Sequence, residues 1–223
     1  CGLDIEKIIL KSFAEGVSLL SNNNLDKNFT ILRLEKNRIS ISLFKNKSFI
    51  FTEDFDFGLN LIIKDISKLC SLSTEEVENF ISDVELKNII ENNNEAYLEK
   101  KYFYSSPYRK IKYQLILDIF SARLEELFEI CCTKNINTKN LKNSDKIYVY
   151  IDTNGIHKNV QYVLDRSKLT SLECIFNCSS EESLFSGVTG ACELVGNGWE
   201  KEAIPIIHKK KSFISGFFSK LFN

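Results

Sequence analysis

The stretch Phe29–Asp54, FTILRLEKNRISISLFKNKSFIFTED, contains three short runs rich in β-branched and aromatic residues. The polar breaks KN and KNK separate these runs. Strand-forming runs that are joined by tight polar turns predict an antiparallel meander. We therefore place a three-stranded meander, made of FTILRLE, RISISLF and SFIFTED, at the start of the fold.

Helical patterns lie on both sides of the meander. Apolar residues at helical spacing predict a helix over 1–20, and LNLIIKDISKLC predicts another over 59–70. Ser73 and Glu76 form the capping-box pattern, which predicts that a further helix begins there and runs over about 74–82. Three more elements are predicted after it: a helix at 84–91, a strand at 96–104 and a helix at 108–133.

The last part of the chain alternates between strands and helices. KIYVYID predicts a buried strand, and a helix at 157–165, a strand at 171–176 and a helix at 181–195 follow it. A meander followed by this alternation predicts an α/β fold with one mixed sheet and helices on both faces. With a block inserted in its middle, this order is that of one half of the actin-like, ribonuclease H-like ATPase fold.

The same order predicts how the chain is divided. Residues 1–73 and 143–200 are expected to form the core of the half-fold, with an inserted α+β subdomain at 74–142. Residues 201–223 are expected to be a linker and an amphipathic C-terminal helix.

Composition excludes several classes of protein. The chain has 223 residues and a formal net charge of -1, and a nucleic-acid-binding protein usually carries a basic face. No segment approaches the roughly 18 apolar residues of a membrane-spanning helix, and the N-terminus has no secretory pattern. The seven cysteines, an odd number that lies mostly in apolar segments, predict reduced and buried thiols. Cys174 and Cys178 lack the second pair or histidine that a zinc site needs.

Four stretches, taken in order, resemble the bacterial cell-division protein FtsA from near its middle to its C-terminus. They are SFAEGVSLL, FGLNLIIKDISKLCSLSTEEVE, ILDIFSARLEELFEI and FSGVTGACELVGNG. The resemblance spans nearly the whole chain, and it depends on the order of the pieces more than on any one of them. It implies that the chain corresponds to the C-terminal half of the family, and that 74–142 receives the C-terminal tail of the tubulin-like protein FtsZ.

The resemblance also implies an ATP site, in which backbone N–H groups of glycine-rich hairpins hold the phosphates. Residues that match the family's nucleotide contacts are Gly58, Asp65, Glu78 and Gly155. Arg33 stands where the family has an aspartate, and Ile81 stands where it has a lysine. The hairpin carries Glu35, Lys36 and Asn37 near the family's glycine positions. We therefore expect negligible ATP binding and no hydrolysis.

The segment SPYRKIKYQ is a candidate partner site. It combines positive charge with aromatic rings at the predicted start of a long helix, where cations oppose the helix dipole and therefore favour a functional interpretation. The residues are Tyr108, Arg109, Lys110, Lys112 and Tyr113. An acidic and apolar peptide, such as the FtsZ tail that the resemblance implies, would suit such a surface. The alternative is an ordinary solvated helix start.

The chain ends on KKKSFISGFFSKLFN. On a helical wheel its large apolar residues share one half, and the polar residues and glycine take the other. With a basic run upstream, this pattern predicts an amphipathic helix that binds an anionic membrane surface, although a helix docked on the core shows the same pattern. The membrane-binding residues would be Lys209, Lys210, Lys211, Phe213, Ile214, Phe217, Phe218, Leu221 and Phe222.

Together with these patterns, the resemblance implies a non-enzymatic adaptor that ties FtsZ filaments to the inner face of the cytoplasmic membrane at the division site. Self-association is a further expectation from the family. We find no pattern for a catalytic residue or a metal site. A divergent ATPase or kinase-like enzyme and a pilus-assembly protein of related fold are the alternatives.

Overall fold

A five-stranded mixed sheet organises the chain in a computed structural model that describes residues 8–21, 28–92, 95–135, 146–152, 155–167, 173–177 and 180–196. The strands are β1 (Phe29–Leu34), β2 (Ile39–Lys45), β3 (Ser48–Phe55), β4 (Lys146–Ile151) and β5 (Glu173–Asn177). Their order across the sheet is β3-β2-β1-β4-β5. The meander is antiparallel, whereas β4 pairs parallel with both β1 and β5. The predicted mixed sheet is confirmed.

Seven α-helices lie in the described residues. They are α1 (Lys11–Ser21), α2 (Asn60–Cys70), α3 (Thr74–Asp83), α4 (Leu86–Asn92), α5 (Tyr113–Phe128), α6 (His157–Ser167) and α7 (Ser180–Gly196). A π-helical turn, Glu129–Thr133, continues α5. None of these helices is both long and apolar enough to cross a membrane.

The helices cover both faces of the sheet, as predicted. Alternation along β1 directs Phe29 and Ile31 to one face, where α1 packs, and α7 packs in turn against α1. Leu32 and Leu34 point to the other face, where α2 to α6 share one apolar core with the sheet. The described residues of the block 74–142 belong to that core, and its boundaries as a subdomain stay a prediction.

Two predicted elements differ from the structure. The strand predicted at 96–104 is wrong: Tyr97 makes an isolated bridge to Lys112, and Lys100–Tyr102 is a 3-10 turn that buries Tyr102 against Phe80. The long helix predicted from residue 108 begins at Tyr113, because the preceding residues pair with the chain at 96–98 instead. The N–H of Leu98 donates to the carbonyl of Ile111 at 2.8 Å.

The helices predicted at the two ends of the chain overlap the described residues to different extents. The helix predicted over 1–20 begins at Lys11, residues 8–10 are not helical, and 1–7 lie outside the described residues. The predicted amphipathic segment at 201–223 also lies outside them.

Candidate functional site

A cleft of about 380 Å³ opens beyond the carboxyl ends of β1 and β4. In open α/β sheets this edge is where ligands usually bind. Lys36 follows β1, Asp152 follows β4, and Glu78 and Ser82 reach the cleft from α3. Apolar side chains complete the lining: Leu59, Ile63, Ile81 and Ile156.

The β1–β2 hairpin forms one wall of the cleft and packs against the start of α2. The N–H of Leu59 donates to the carbonyl of Glu35 at 3.0 Å, and the N–H of Asn60 donates to that of Lys36 at 2.8 Å. A side chain at Gly58 would overlap the hairpin backbone. Gly58 therefore serves this close packing, and the two N–H groups after it are committed to carbonyls of the hairpin.

Arg33 lies behind the hairpin in a buried cluster of charges. Its guanidinium donates to Glu15 of α1 and to Asp152 after β4. The side chain is on the α1 face of β1, because it alternates with Leu32 and Leu34, and it stacks over the ring of Tyr150 at 5.0 Å. Only 3% of Arg33 is exposed.

The electrostatics of this cluster are set by two carboxylates, the buried cation Arg33 and the more exposed cation Lys11. Burial raises the pKa of Glu15 above its usual value, and the charge of Arg33 acts in the opposite direction. When both carboxyl groups are ionised, their charges balance those of Arg33 and of Lys11, whose Nζ lies 3.8 Å from Oε1 of Glu15. An incoming phosphate therefore meets no unneutralised arginine at this cluster.

A second ion pair crosses the mouth of the cleft. The Nζ of Lys36 lies 2.7 Å from Oε1 of Glu78, so the hairpin is joined to α3. Both side chains are exposed, and Glu78 is one of the four residues that match the family's nucleotide contacts. In this arrangement Glu78 adds negative charge to the cleft and holds its lysine.

The other two matched residues lie at different places. Gly155 is beside the cleft with φ of 79°, and a side chain there would contact Ser82 of α3, so glycine is required by both conformation and space. Asp65 is not among the residues that line the cleft, because it pairs with Arg123 and joins α2 to α5. Three of the four predicted nucleotide residues are thus brought to the cleft and its margin.

The predicted partner residues are split between the surface and the core. Tyr108, Arg109 and Lys110 are exposed, and Arg109 donates to the carbonyl of Ser71 at 2.9 Å. Lys112 pairs with Glu95 at 2.6 Å. Tyr113 is a correction, because it lies in the core with only 2% exposed, and burial raises its pKa to about 12. The helix-dipole argument now applies only to Lys112, which is the N-cap residue, since α5 begins at Tyr113.

Glu76 joins α3 to the loop 103–112, which contains these basic residues and is called the basic loop below. One of its carboxylate oxygens, Oε1, accepts from the backbone N–H groups of Tyr104, Ser105 and Ser106 at 3.0, 2.9 and 2.8 Å. The other, Oε2, accepts from the N–H of Ser73 and the hydroxyl of Ser106. Burial alone would raise the pKa of Glu76, but these hydrogen bonds outweigh it and hold the pKa well below 4.5.

Sequence reasoning found the capping box but missed the wider roles of Glu15, Asp152 and Glu76. A signal for the first two was present, since an arginine inside an apolar strand needs a buried partner. Glu15 is such a partner in the apolar helix SFAEGVSLL. The loop that Glu76 holds could not be predicted, because it depends on a chain reversal about thirty residues away.

Neither a metal site nor a disulfide is found in the described parts of the chain. They contain no group of three or more metal-ligating side chains. The cysteines described there, Cys70, Cys131, Cys132, Cys174 and Cys192, form no disulfide.

Comparison with known proteins supports the fold. No family model matches the chain, and no curated protein matches it. Among solved structures, an archaeal actin homologue aligns with a TM-score of 0.51 at 8% identity, over 84% of this chain and 55% of its own. A Bacillus thuringiensis ParM hybrid protein with ADP aligns with a TM-score of 0.50 at 15% identity, over 77% of this chain and 24% of its own.

The fold is actin-like. At these identities the likeness shows the fold alone, and this chain spans about half the length of the archaeal actin homologue. The predicted class, an actin-like half with helices on both faces of a mixed sheet, is therefore confirmed.

Proposed function

We propose that this chain is half of an actin-like scaffold protein that acts without hydrolysing ATP. The observation that carries the proposal is the engagement of Arg33 by both Glu15 and Asp152. It leaves the cleft with two carboxylates, Asp152 and Glu78, and one lysine that is already paired. A triphosphate bears several negative charges and needs free donors and cations to offset its desolvation.

The backbone N–H groups at the start of α2, which bond to the hairpin, support the same proposal. Phosphate sites of this fold depend on N–H groups that converge on the anion. Here the N–H groups of Leu59 and Asn60 bond to carbonyls, and Gly58 is filled by the hairpin backbone. The polar groups around the cleft instead join the hairpin after β1 to α2 by backbone hydrogen bonds and to α3 by the ion pair of Lys36 and Glu78.

The test is isothermal titration of the full chain with Mg-ATP and with Mg-ADP. We expect no measurable heat of binding up to millimolar nucleotide. A dissociation constant in the low micromolar range would overturn the proposal and favour the second candidate, a nucleotide-dependent relative. That candidate has one observation on its side, since the ParM hybrid to which the chain is similar was solved with ADP.

The finer function is an FtsA-like adaptor at the division site, with the C-terminal segment on the inner face of the membrane. Its support is the resemblance in sequence and the clustering of apolar residues on one half of Phe213–Phe222 behind three lysines. Such a segment gains from burying its apolar half at an interface and from attraction of its lysines to anionic lipid. We expect F217E together with F218E to abolish co-sedimentation with anionic vesicles, and binding that survives the change would contradict it.

The partner expected from the resemblance is the acidic FtsZ tail. The exposed basic residues Arg109 and Lys110, beside the exposed ring of Tyr108, offer it charge and one aromatic contact. Fluorescence anisotropy with an FtsZ tail peptide should show weaker binding for Arg109→Glu. The matched control is Lys87→Glu, which reverses an exposed charge on α4, and an equal loss for both would remove the loop from the site.

A further inference from the structure

Helices α1 and α7 leave an apolar groove of about 650 Å³ along the line where they meet. The two helices cross closely, since a side chain at Gly190 would overlap the carbonyl of Ala14. Small and apolar residues line the groove, among them Ile9, Ala14, Gly187, Val188, Ala191 and Val195. The groove lies on the side of the sheet opposite the large core.

The surface around this groove is exposed and apolar. Val188 and Val195 are 57% and 75% exposed, and Ile8 and Leu10, just before α1, are 90% and 60% exposed. Val188, Ala191, Cys192 and Val195 recur at a spacing of three or four, so they form one stripe along α7. A stripe of this kind beside a groove indicates a binding surface more strongly than isolated apolar residues do.

We propose that the groove receives the C-terminal segment Phe213–Phe222 of the same chain, which docks there as an amphipathic helix when it is not on a membrane. The proposal rests on the membrane anchoring proposed above. It assigns the apolar half of that segment two competing sites. The anchor is then masked within the protein until a bilayer displaces it from α1 and α7.

Shape and chemistry suit this occupant. An amphipathic helix binds a hydrophobic groove by placing apolar side chains at helical spacing into it. The segment offers four phenylalanines, one leucine and one isoleucine for that purpose. The groove's volume of about 650 Å³ leaves room for aromatic side chains, and its glycines Gly187 and Gly196 carry no side chain that would fill it.

The length of chain after α7 permits the return. The helix ends at Gly196, at the rim of the groove, and residues 197–212 separate it from Phe213. Sixteen residues can span up to roughly 50 Å, whereas the groove along α7 from Gly187 to Gly196 is only about 14 Å long. A tether this short gives an effective concentration of about millimolar, so a weak contact is enough to keep the segment docked.

Docking would lower the affinity for membranes without any change in the segment itself. If the segment occupies the groove for nine-tenths of the time, only about one-tenth of the molecules can bind lipid, and the apparent affinity falls about tenfold. A partner or a neighbouring copy that filled the groove would restore it.

Cys192 provides a direct readout, because it lines the groove and its side chain is exposed when the groove is open. The full chain is treated with iodoacetamide, and the modification of Cys192 is followed by peptide mass spectrometry. We expect modification about tenfold slower than in the variant F217E with F218E. Vesicles of phosphatidylglycerol should speed the modification in the unaltered chain and leave the variant unchanged.

A second variant tests the groove itself. Val188→Glu places a charge in the groove and should speed modification of Cys192 and strengthen vesicle binding. Leu69→Glu is the matched control, because Leu69 is an apolar residue of α2 that is 66% exposed and lies outside the groove. The control should leave both measurements unchanged.

The outcomes separate this proposal from the anchoring on which it rests. If Cys192 is protected but vesicles never bind, the anchoring is wrong and the docking stands. If Cys192 reacts equally fast in the unaltered chain and in the tail variant, the docking is wrong. If Cys192 stays protected in the tail variant and its protection increases with protein concentration, then a second copy of the chain fills the groove. That result also overturns the proposal.

Discussion

Glu15 and Glu76 are both buried glutamates, and the protein stabilises them in opposite ways. Glu15 lies under the sheet and depends on the cation Arg33, while its pKa is raised by burial. Glu76 lies between α3 and the basic loop and depends on neutral donors, mainly backbone N–H groups, which hold its pKa well below 4.5. Glu15 is held by the buried guanidinium of Arg33, and Glu76 is held by backbone N–H groups that converge on one of its oxygens.

The difference shows where the chain has kept anion-binding chemistry. Three consecutive N–H groups that converge on one oxygen are the arrangement that suits a phosphate. This chain places that arrangement at Tyr104–Ser106, around its own carboxylate, and not at the hairpin beside the cleft. The cleft instead holds charges that neutralise one another.

The largest effect is expected for Arg33→Ala. The change leaves Glu15 buried without its cation, and loss of one partner from a buried pair costs about 3–5 kcal/mol. Urea unfolding followed by circular dichroism should show this loss in the free energy of unfolding. The result would establish that the arginine beside the cleft acts in the structure.

The double variant Glu15→Leu with Arg33→Leu is the control for that experiment. Replacing both partners of a buried pair with apolar groups is often close to neutral, so much of the lost stability should return. Asp152, which keeps partial contact with solvent, tolerates the loss better than Glu15 does. A single variant as stable as the unaltered chain would contradict the assignment of Arg33 to a structural pair.

Glu76→Ala should have the next largest effect. It removes the acceptor of five hydrogen bonds at once and leaves the donors of the loop unpaired, for an expected loss of about 2–3 kcal/mol. Hydrogen exchange of the amides at 104–106 should speed up more than that of α5. Glu75→Ala is the matched control, since Glu75 is exposed on the same turn and should change stability by less than about 0.5 kcal/mol.

The sequence predicted most of the sheet and little of these charge networks. The β-branched and aromatic content of FTILRLE and KIYVYID was enough to place β1 and β4, because strand propensity is local. The capping box at Ser73 was predicted for the same reason. The loop after Lys100 was not predicted. Its conformation depends on hydrogen bonds to Glu76 and on pairing with residues 96–98, and not on its own composition.

The candidate site divides in the same way. Gly58, Glu78 and Gly155 reach the cleft or its margin because the fold places strand ends and helix starts there. Asp65 was chosen by resemblance alone, and its pairing with Arg123 depends on how α5 crosses α2. Tyr113 was assigned to the partner site because its ring lies beside the basic residues of SPYRKIKYQ, yet α5 buries it as its first residue.

Acid should weaken the contribution of Glu76 to stability. The pKa of Glu76 in the folded protein lies below the ordinary value of 4.5. Its contribution to stability is therefore complete above pH 4.5 and is lost as the pH falls below 4.5 toward the lowered pKa. Glu15 has a raised pKa and changes in the opposite sense, losing its contribution as the pH rises above 4.5. Unfolding of the chain and of Glu76→Gln between pH 3 and 7 should therefore give a stability difference that narrows below pH 4.5.

The smallest effect on stability is expected for Glu78→Gln. Its ion pair with Lys36 joins two exposed side chains, and such pairs contribute about 0–1 kcal/mol. The change nevertheless gives the cleft its best chance of holding a phosphate, since it removes a negative charge and releases the lysine. It therefore tests whether the surface pair or the buried cluster keeps the cleft from binding nucleotide.

We expect Glu78→Gln to remain without measurable Mg-ATP binding in isothermal titration. Arg33 stays engaged by Glu15 and Asp152, Asp152 still lines the cleft, and the N–H groups of Leu59 and Asn60 still bond to the hairpin. One released lysine replaces neither the cation nor the backbone donors that a triphosphate requires. Micromolar binding by this variant would mean that a single exposed ion pair closes the cleft, and the contrast between the cleft and the loop around Glu76 would then fail.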